Sequence, residues 1–129
     1  MPGKYLLDTN AAIALLNGDS VLASKLSGES DIYLPVPVAG ELYYGAAKSA
    51  RVAANMAKVS AFVAANVLIS CDHTTALNYG QVKGTLKAKG RLIPDNDMWI
   101  AAVTRQYNLT LVTRDAHFQE VSEITTLSW

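Results

Sequence analysis

At 129 residues, half of them apolar, the chain has the length of one compact domain with one main core. It contains no run of about 18 or more continuous apolar residues that could span a bilayer. Its 11 basic and 11 acidic residues give a formal net charge of zero. This excludes the long-range pull on nucleic acid of a strongly basic protein, but not a nuclease whose acids are grouped around a metal.

Residues 4 to 8 read as a short buried strand. Met1-Pro2-Gly3-Lys4 runs directly into it rather than into the apolar core of a signal peptide, so a cytoplasmic protein is expected. At Thr9 the spacing of apolar residues becomes helical, and a helix over Thr9 to Leu16 ends near Asn17-Gly18. A second strand covers 31 to 34, and Pro35 and Pro37 lead into a helix from Val38 to Lys48 with Glu41 in its first turn. Alanine-rich segments 51 to 65 and 74 to 89 read as two more helices around a strand from Val67 to Ser70. Cys71, the one cysteine, cannot form an intramolecular disulfide, which fits a reducing compartment. Following a core-like strand, it is expected to be buried packing. Lys83, Lys87, Lys89 and Arg91 form the densest basic patch, readable as a solvated helix face or as a contact to backbone phosphates.

Pro94 then opens a helix from Asp95 to Tyr107, Asn108 leads into the strand Leu109 to Thr113, and Ile124 to Leu127 adds an edge strand. Strands separated by helices imply parallel pairing through right-handed crossovers, hence an α/β fold of three α/β/α layers around a short, mostly parallel sheet. Ligands of such sheets gather at the carboxyl ends of the strands. No repeat or linker divides the chain, so residues 1 to 129 are read as a single domain.

Four carboxylates stand where folding alone has little need of them: Asp8 after Tyr5-Leu6-Leu7, Glu41 in Gly40-Glu41-Leu42-Tyr43-Tyr44-Gly45, Asp97 before Met98-Trp99-Ile100-Ala101-Ala102, and Asp115 after Leu111-Val112-Thr113-Arg114. Gathering carboxylates in a partly desolvated cleft raises their pKa values and costs stability unless protons or a cation neutralise them. A divalent metal is the economical explanation. Hard oxygen ligands favour magnesium, with manganese a plausible substitute, and point to chemistry on phosphates. Asp8, Glu41, Asp97 and Asp115 are therefore the candidate catalytic and metal-binding residues, with the hydroxyls of Thr9 and Thr113 as candidate supports behind them. Asp95 reads as a helix cap rather than a ligand. His73 and His117 read as structural, Tyr43, Tyr44 and Trp99 as core or subunit-interface residues with base stacking as the alternative, and Trp129 as a packing anchor.

In chain order the motifs are Leu6-Leu7-Asp8-Thr9-Asn10, Glu41-Leu42-Tyr43-Tyr44-Gly45-Ala46, Asp97-Met98-Trp99-Ile100-Ala101-Ala102 and Thr113-Arg114-Asp115-Ala116-His117-Phe118. Taken together over nearly the whole chain, this series resembles a PIN domain, specifically a VapC-type toxin ribonuclease of a type II toxin-antitoxin system. The resemblance implies a magnesium-dependent endoribonuclease with metal-binding carboxylates at Asp8, Glu41, Asp97 and Asp115, and with Thr113 matching the hydroxyl residue that supports them. It further implies a homodimer, and a VapB-like antitoxin whose carboxyl-terminal segment blocks the active site. Gly40 departs from the alanine frequent in related sequences before the glutamate; every acidic position is nevertheless filled.

Two other readings stay open from the residues. One is a phosphatase or phosphotransferase with Asp8 as covalent nucleophile, although Asp8-Thr9-Asn10 lacks a second aspartate two residues on to act as acid and base. The other is a noncatalytic RNA- or protein-binding module in which the acids hold basic side chains of a partner.

Overall fold

A computed structural model of the chain describes residues 4–26 and 31–129. Met1 to Gly3, read above as leading straight into the first strand, lie outside the described residues, as do residues 27 to 30. The elements in order are β1 (Lys4–Leu7), α1 (Thr9–Leu16), α2 (Ser20–Lys25), β2 (Asp31–Pro35), α3 (Val36–Ala47), α4 (Val52–Ala65), β3 (Val67–Ile69), α5 (His73–Ala88), α6 (Asp95–Tyr107), β4 (Thr110–Val112), a 3-10 turn (Ala116–Glu120) and β5 (Thr125–Leu127).

The strands form one sheet in the order β3-β2-β1-β4-β5, every pair parallel, flanked by helices. From β1 the chain moves outward through β2 to β3, then returns to lay β4 on the other side of β1. The boundary between β1 and β4 is therefore the point at which the strand order reverses, and ligands of open α/β sheets bind beside the carboxyl ends of the strands at such a point. Leu6, Leu7, Leu34, Leu111 and Val112 are fully buried in the central strands. Such continuous apolar runs are what a sheet covered on both faces requires.

Several boundaries differ from the sequence reading. The third helix begins at Val36, two residues early, because Pro35 supplies the extended N-cap and Pro37 sits in the first turn, where no N–H is needed. Glu41 consequently lies in the second turn. Helix α2, not anticipated, is short and starts on Asp19, whose carboxylate accepts from the Leu22 N–H at 3.0 Å. The strand expected to bury Cys71 is the sheet edge, with Val67 and Leu68 exposed, and Cys71 beyond it is exposed too. Partial burial, then the charge of Asp72, pushes its thiol above the ordinary value, so it is a poor nucleophile.

Helix α6 ends on Asn108, whose φ of 51° and ψ of 47° put it in the left-handed region while its N–H bonds the Arg105 carbonyl. Asparagine tolerates this conformation and β-branched residues do not. Asn108→Val is expected to cost about 1–2 kcal/mol and Asn108→Gly close to nothing. Urea midpoints of the two variants check this; equal loss in both would refute the left-handed cap.

Candidate metal centre

The geometry follows from strand register. Leu7 of β1 pairs with Val112 of β4, so the next residues, Asp8 and Thr113, come out side by side at the carboxyl end of the sheet. Asp8 is 4% exposed and Thr113 3%. The Asp8 N–H donates to the Val112 carbonyl at 3.3 Å, and its carboxylate is held at both oxygens: Oδ1 accepts from the Ala11 N–H at 2.8 Å and Oδ2 from the Thr113 hydroxyl at 2.5 Å. Asp8 is thus the N-cap of α1 as well as a buried acid close to Asp115 and Asp97. Thr9 opens α1, half-buried, and is joined to none of the acids by a hydrogen bond among the described residues.

Thr113 also ties the next acid in place, since its oxygen accepts from the Asp115 N–H at 2.9 Å. Asp115 in turn caps the 3-10 turn, accepting from the His117 N–H at 2.9 Å. Asp97 arrives from the first turn of α6, where the helix dipole favours negative charge. The His117 imidazole stands between the last two, with Nδ1 3.2 Å from Asp97 Oδ2 and 3.1 Å from Asp115 Oδ1. One donor atom from each of Asp97, Asp115 and His117 falls within a mutual 4.8 Å.

The electrostatics show what this convergence costs. Burial pushes the Asp8 carboxyl above its ordinary value, the Thr113 and Ala11 hydrogen bonds pull it down, and the charges of Asp115 and Asp97 push it up again. Asp97 is likewise raised, by burial first and by Asp115 in addition, against the opposing pull of His117. Among the described residues no lysine or arginine forms an ion pair with these acids. Carboxylates packed together and partly buried, with the His117 imidazole as their one basic neighbour among the described ion pairs, are a setting that a divalent cation relieves, and the oxygen-rich donor set suits one.

The remaining candidates fall at the rim or elsewhere. Glu41 is exposed and reaches the group only through Asn96 of α6, whose amide lies 3.4 Å from Glu41 Oε1. Asp95, read as a cap, makes no capping bond: Pro94 is the N-cap, and the Asp95 carboxylate accepts instead from the Tyr79 hydroxyl of α5. A proline N-cap has no side-chain acceptor, and Tyr79, stacked on Trp99 at 4.1 Å between ring centres, is aimed at the helix start. Tyr43 bonds Ser60 of α4 at 3.0 Å, Tyr44 is exposed with Lys48 over its ring, and Trp129 packs beneath the Arg114 guanidinium. His73 begins α5, exposed. His117 is the residue that sequence reasoning passed over as structural. The signal was present: a histidine two positions after an acid that caps its own turn is brought back onto that acid.

A model described as "PIN domain" matches residues 5–124, nearly the whole chain. The chain belongs to the PIN domain family. Among its relatives, Ribonuclease VapC2 of Haemophilus influenzae (strain Rd) is 30% identical over 129 residues, covering 98% of each chain. The tRNA(fMet)-specific endonuclease VapC of Shigella flexneri is 28% identical with the same coverage. In solved structures, the PIN fold seen here is similar to VapBC2 of Rickettsia felis bound to a DNA fragment from their promoter, with a TM-score of 0.88, 28% identity and 98% of each chain covered. The resemblance seen in the four motifs is thus borne out along the full length. Among the described residues, no helix of this PIN chain is long and apolar enough to cross a membrane.

Thr113 carries the clearest structural prediction at this centre. Thr113→Val leaves a buried carboxylate oxygen and the Asp115 N–H without their partners, and each such loss costs about 1–3 kcal/mol. The urea midpoint of the cation-free protein should fall accordingly, while Thr113→Ser should retain it. An unchanged midpoint in the valine variant would exclude the anchoring role.

Proposed function

We propose that the chain is a divalent-metal-dependent endoribonuclease, the toxin of a VapBC-type pair. The observation that carries this reading is the convergence of Asp8, Asp97 and Asp115 at the reversal point of the sheet, in a chain similar end to end to proteins named VapC ribonucleases. Asp97 and Asp115 would hold the cation together with the buried Asp8, and the exposed Glu41 would join them from the side of Asn96. A bound cation supplies Lewis-acid polarisation of a phosphoryl oxygen and makes a water acidic enough to deprotonate near neutral pH; magnesium suits the oxygen donors, with manganese as its substitute.

The protein's own part is positional. Thr113 fixes the Asp8 carboxylate and the Asp115 backbone, and the His117 backbone N–H holds the Asp115 carboxylate, so neither carboxylate must be ordered when substrate arrives. Burial and the neighbouring acids raise the Asp8 and Asp97 carboxyls, a setting that a cation would relieve. Asp8 is poorly placed as a covalent nucleophile, because both its oxygens are engaged and it is almost wholly buried. The antitoxin reading is supported by the Rickettsia relative, whose structure is of VapBC2. A VapB-like antitoxin, a homodimer and a cytoplasmic site of action belong to the same proposal.

Purified protein should make internal cuts in RNA in the presence of magnesium and release no phosphate from a phosphomonoester. Induced alone, it should arrest growth, and co-expression of the protein encoded in the adjacent reading frame should relieve the arrest. A trapped phosphoryl-aspartate with intact RNA would replace this reading with the phosphatase.

A further inference from the structure

We propose that His117 is a nitrogen ligand of the metal centre, and that this chain consequently favours a transition-series divalent cation, with Mn2+ its representative, over Mg2+. The inference rests on the metal-dependent reading above and adds a donor atom to it. In an octahedral site with bonds of about 2.1 Å, neighbouring donors sit about 3.0 Å apart. Nδ1 of His117 lies 3.2 Å from Asp97 Oδ2 and 3.1 Å from Asp115 Oδ1, close to the edges of such a site. The 3.2 Å contact to Asp97 also has the geometry of an imidazole N–H hydrogen bond, the alternative that the nitrogen measurement below separates from ligation.

The imidazole is held there by the fold. The His117 N–H is bonded to Asp115 Oδ1 at 2.9 Å, and the next residue, Phe118, is fully buried and pins the 3-10 turn to the core. The side chain is half exposed, 50% by area, whereas Asp8 is almost wholly buried. Asp97 Oδ2 and Asp115 Oδ1, the two oxygens facing Nδ1, are the donors that would share the cation with it. With Nδ1 as the donor, the ring proton resides on Nε2. Magnesium takes oxygen ligands and keeps its waters, whereas an imidazole in an otherwise oxygen site strengthens binding of first-row transition cations.

Electron spin-echo measurements on Mn2+ added to the full chain provide the test. Nitrogen modulation from one imidazole is expected in wild type and in His73→Ala, and should be absent in His117→Ala. In competition titrations, His117→Ala should weaken Mn2+ binding at least tenfold and Mg2+ binding less than threefold. Mn2+ bound to wild type without nitrogen modulation would overturn the assignment and leave an all-oxygen metal site standing. Failure of wild type to bind Mn2+ at all would overturn both the assignment and the metal-dependent reading.

Discussion

Asp8→Asn is expected to reduce RNA cleavage at least about a thousandfold, since each tenfold corresponds to about 1.4 kcal/mol and removing a carboxylate from a metal centre costs several kcal/mol of transition-state stabilisation. The same substitution should stabilise the cation-free protein. The amide of Asp8→Asn keeps an oxygen for the Ala11 N–H and directs its NH2 at the Thr113 oxygen, while the buried charge and its repulsion from Asp115 and Asp97 vanish. A gain of about 1 kcal/mol is typical when a functional residue is relieved of such strain. The pH dependence has a definite sign. The Asp8 carboxyl is raised in the folded state above its ordinary 3.8, so in the window from that value up to the raised one the folded protein holds the extra proton. Stability contributed by Asp8 is present below that window and is lost as pH rises through it. The melting temperature of Asp8→Asn minus that of wild type should therefore increase with pH from about 4 upward and then level off. An asparagine variant less stable than wild type at pH 7 without metal would contradict the electrostatic account; one that cleaves normally would sink the site.

Metal removal should have the second-largest effect. Chelator is expected to stop cleavage, and returning magnesium at about a hundred times its dissociation constant should stabilise the folded state by about 2.7 kcal/mol, or roughly 10 °C in a chain of this size. Asp97→Asn should lose most of that thermal shift, since Asp97 faces both Asp115 and His117. Differential scanning with and without metal reads this without reference to activity. A shift of equal size in wild type and Asp97→Asn would place the cation elsewhere.

Much of the fold was legible in residue order alone. Apolar runs such as Tyr5-Leu6-Leu7 and Leu111-Val112, separated by helix-spaced alanine and leucine, require buried parallel strands with crossovers, because no other arrangement covers both faces of such strands. The acids could be singled out for a related reason: a carboxylate adjoining a core strand or an apolar helix start pays a desolvation cost that folding does not repay. Finer features escaped for local reasons. Glu41 moved out of a first turn because prolines at 35 and 37 fit the start of a helix as readily as the segment before one. Cys71 was placed in the core because periodicity reveals that a strand is apolar but not whether it lies at the sheet edge.

The sequence by itself determined the family and the layered α/β architecture and singled out four acids as candidates, since these depend on residue types and their order. Only the tertiary structure decided how those acids differ. The pairing of Leu7 with Val112 set Asp8 against Thr113, more than a hundred residues away in the chain, and the long-range packing of α6 brought Asp97 onto Asp115. Register and packing between distant segments leave no trace in local pattern. For that reason the burial of Asp8, the rim position of Glu41 and the imidazole of His117 between two carboxylates emerged only once the strands were paired.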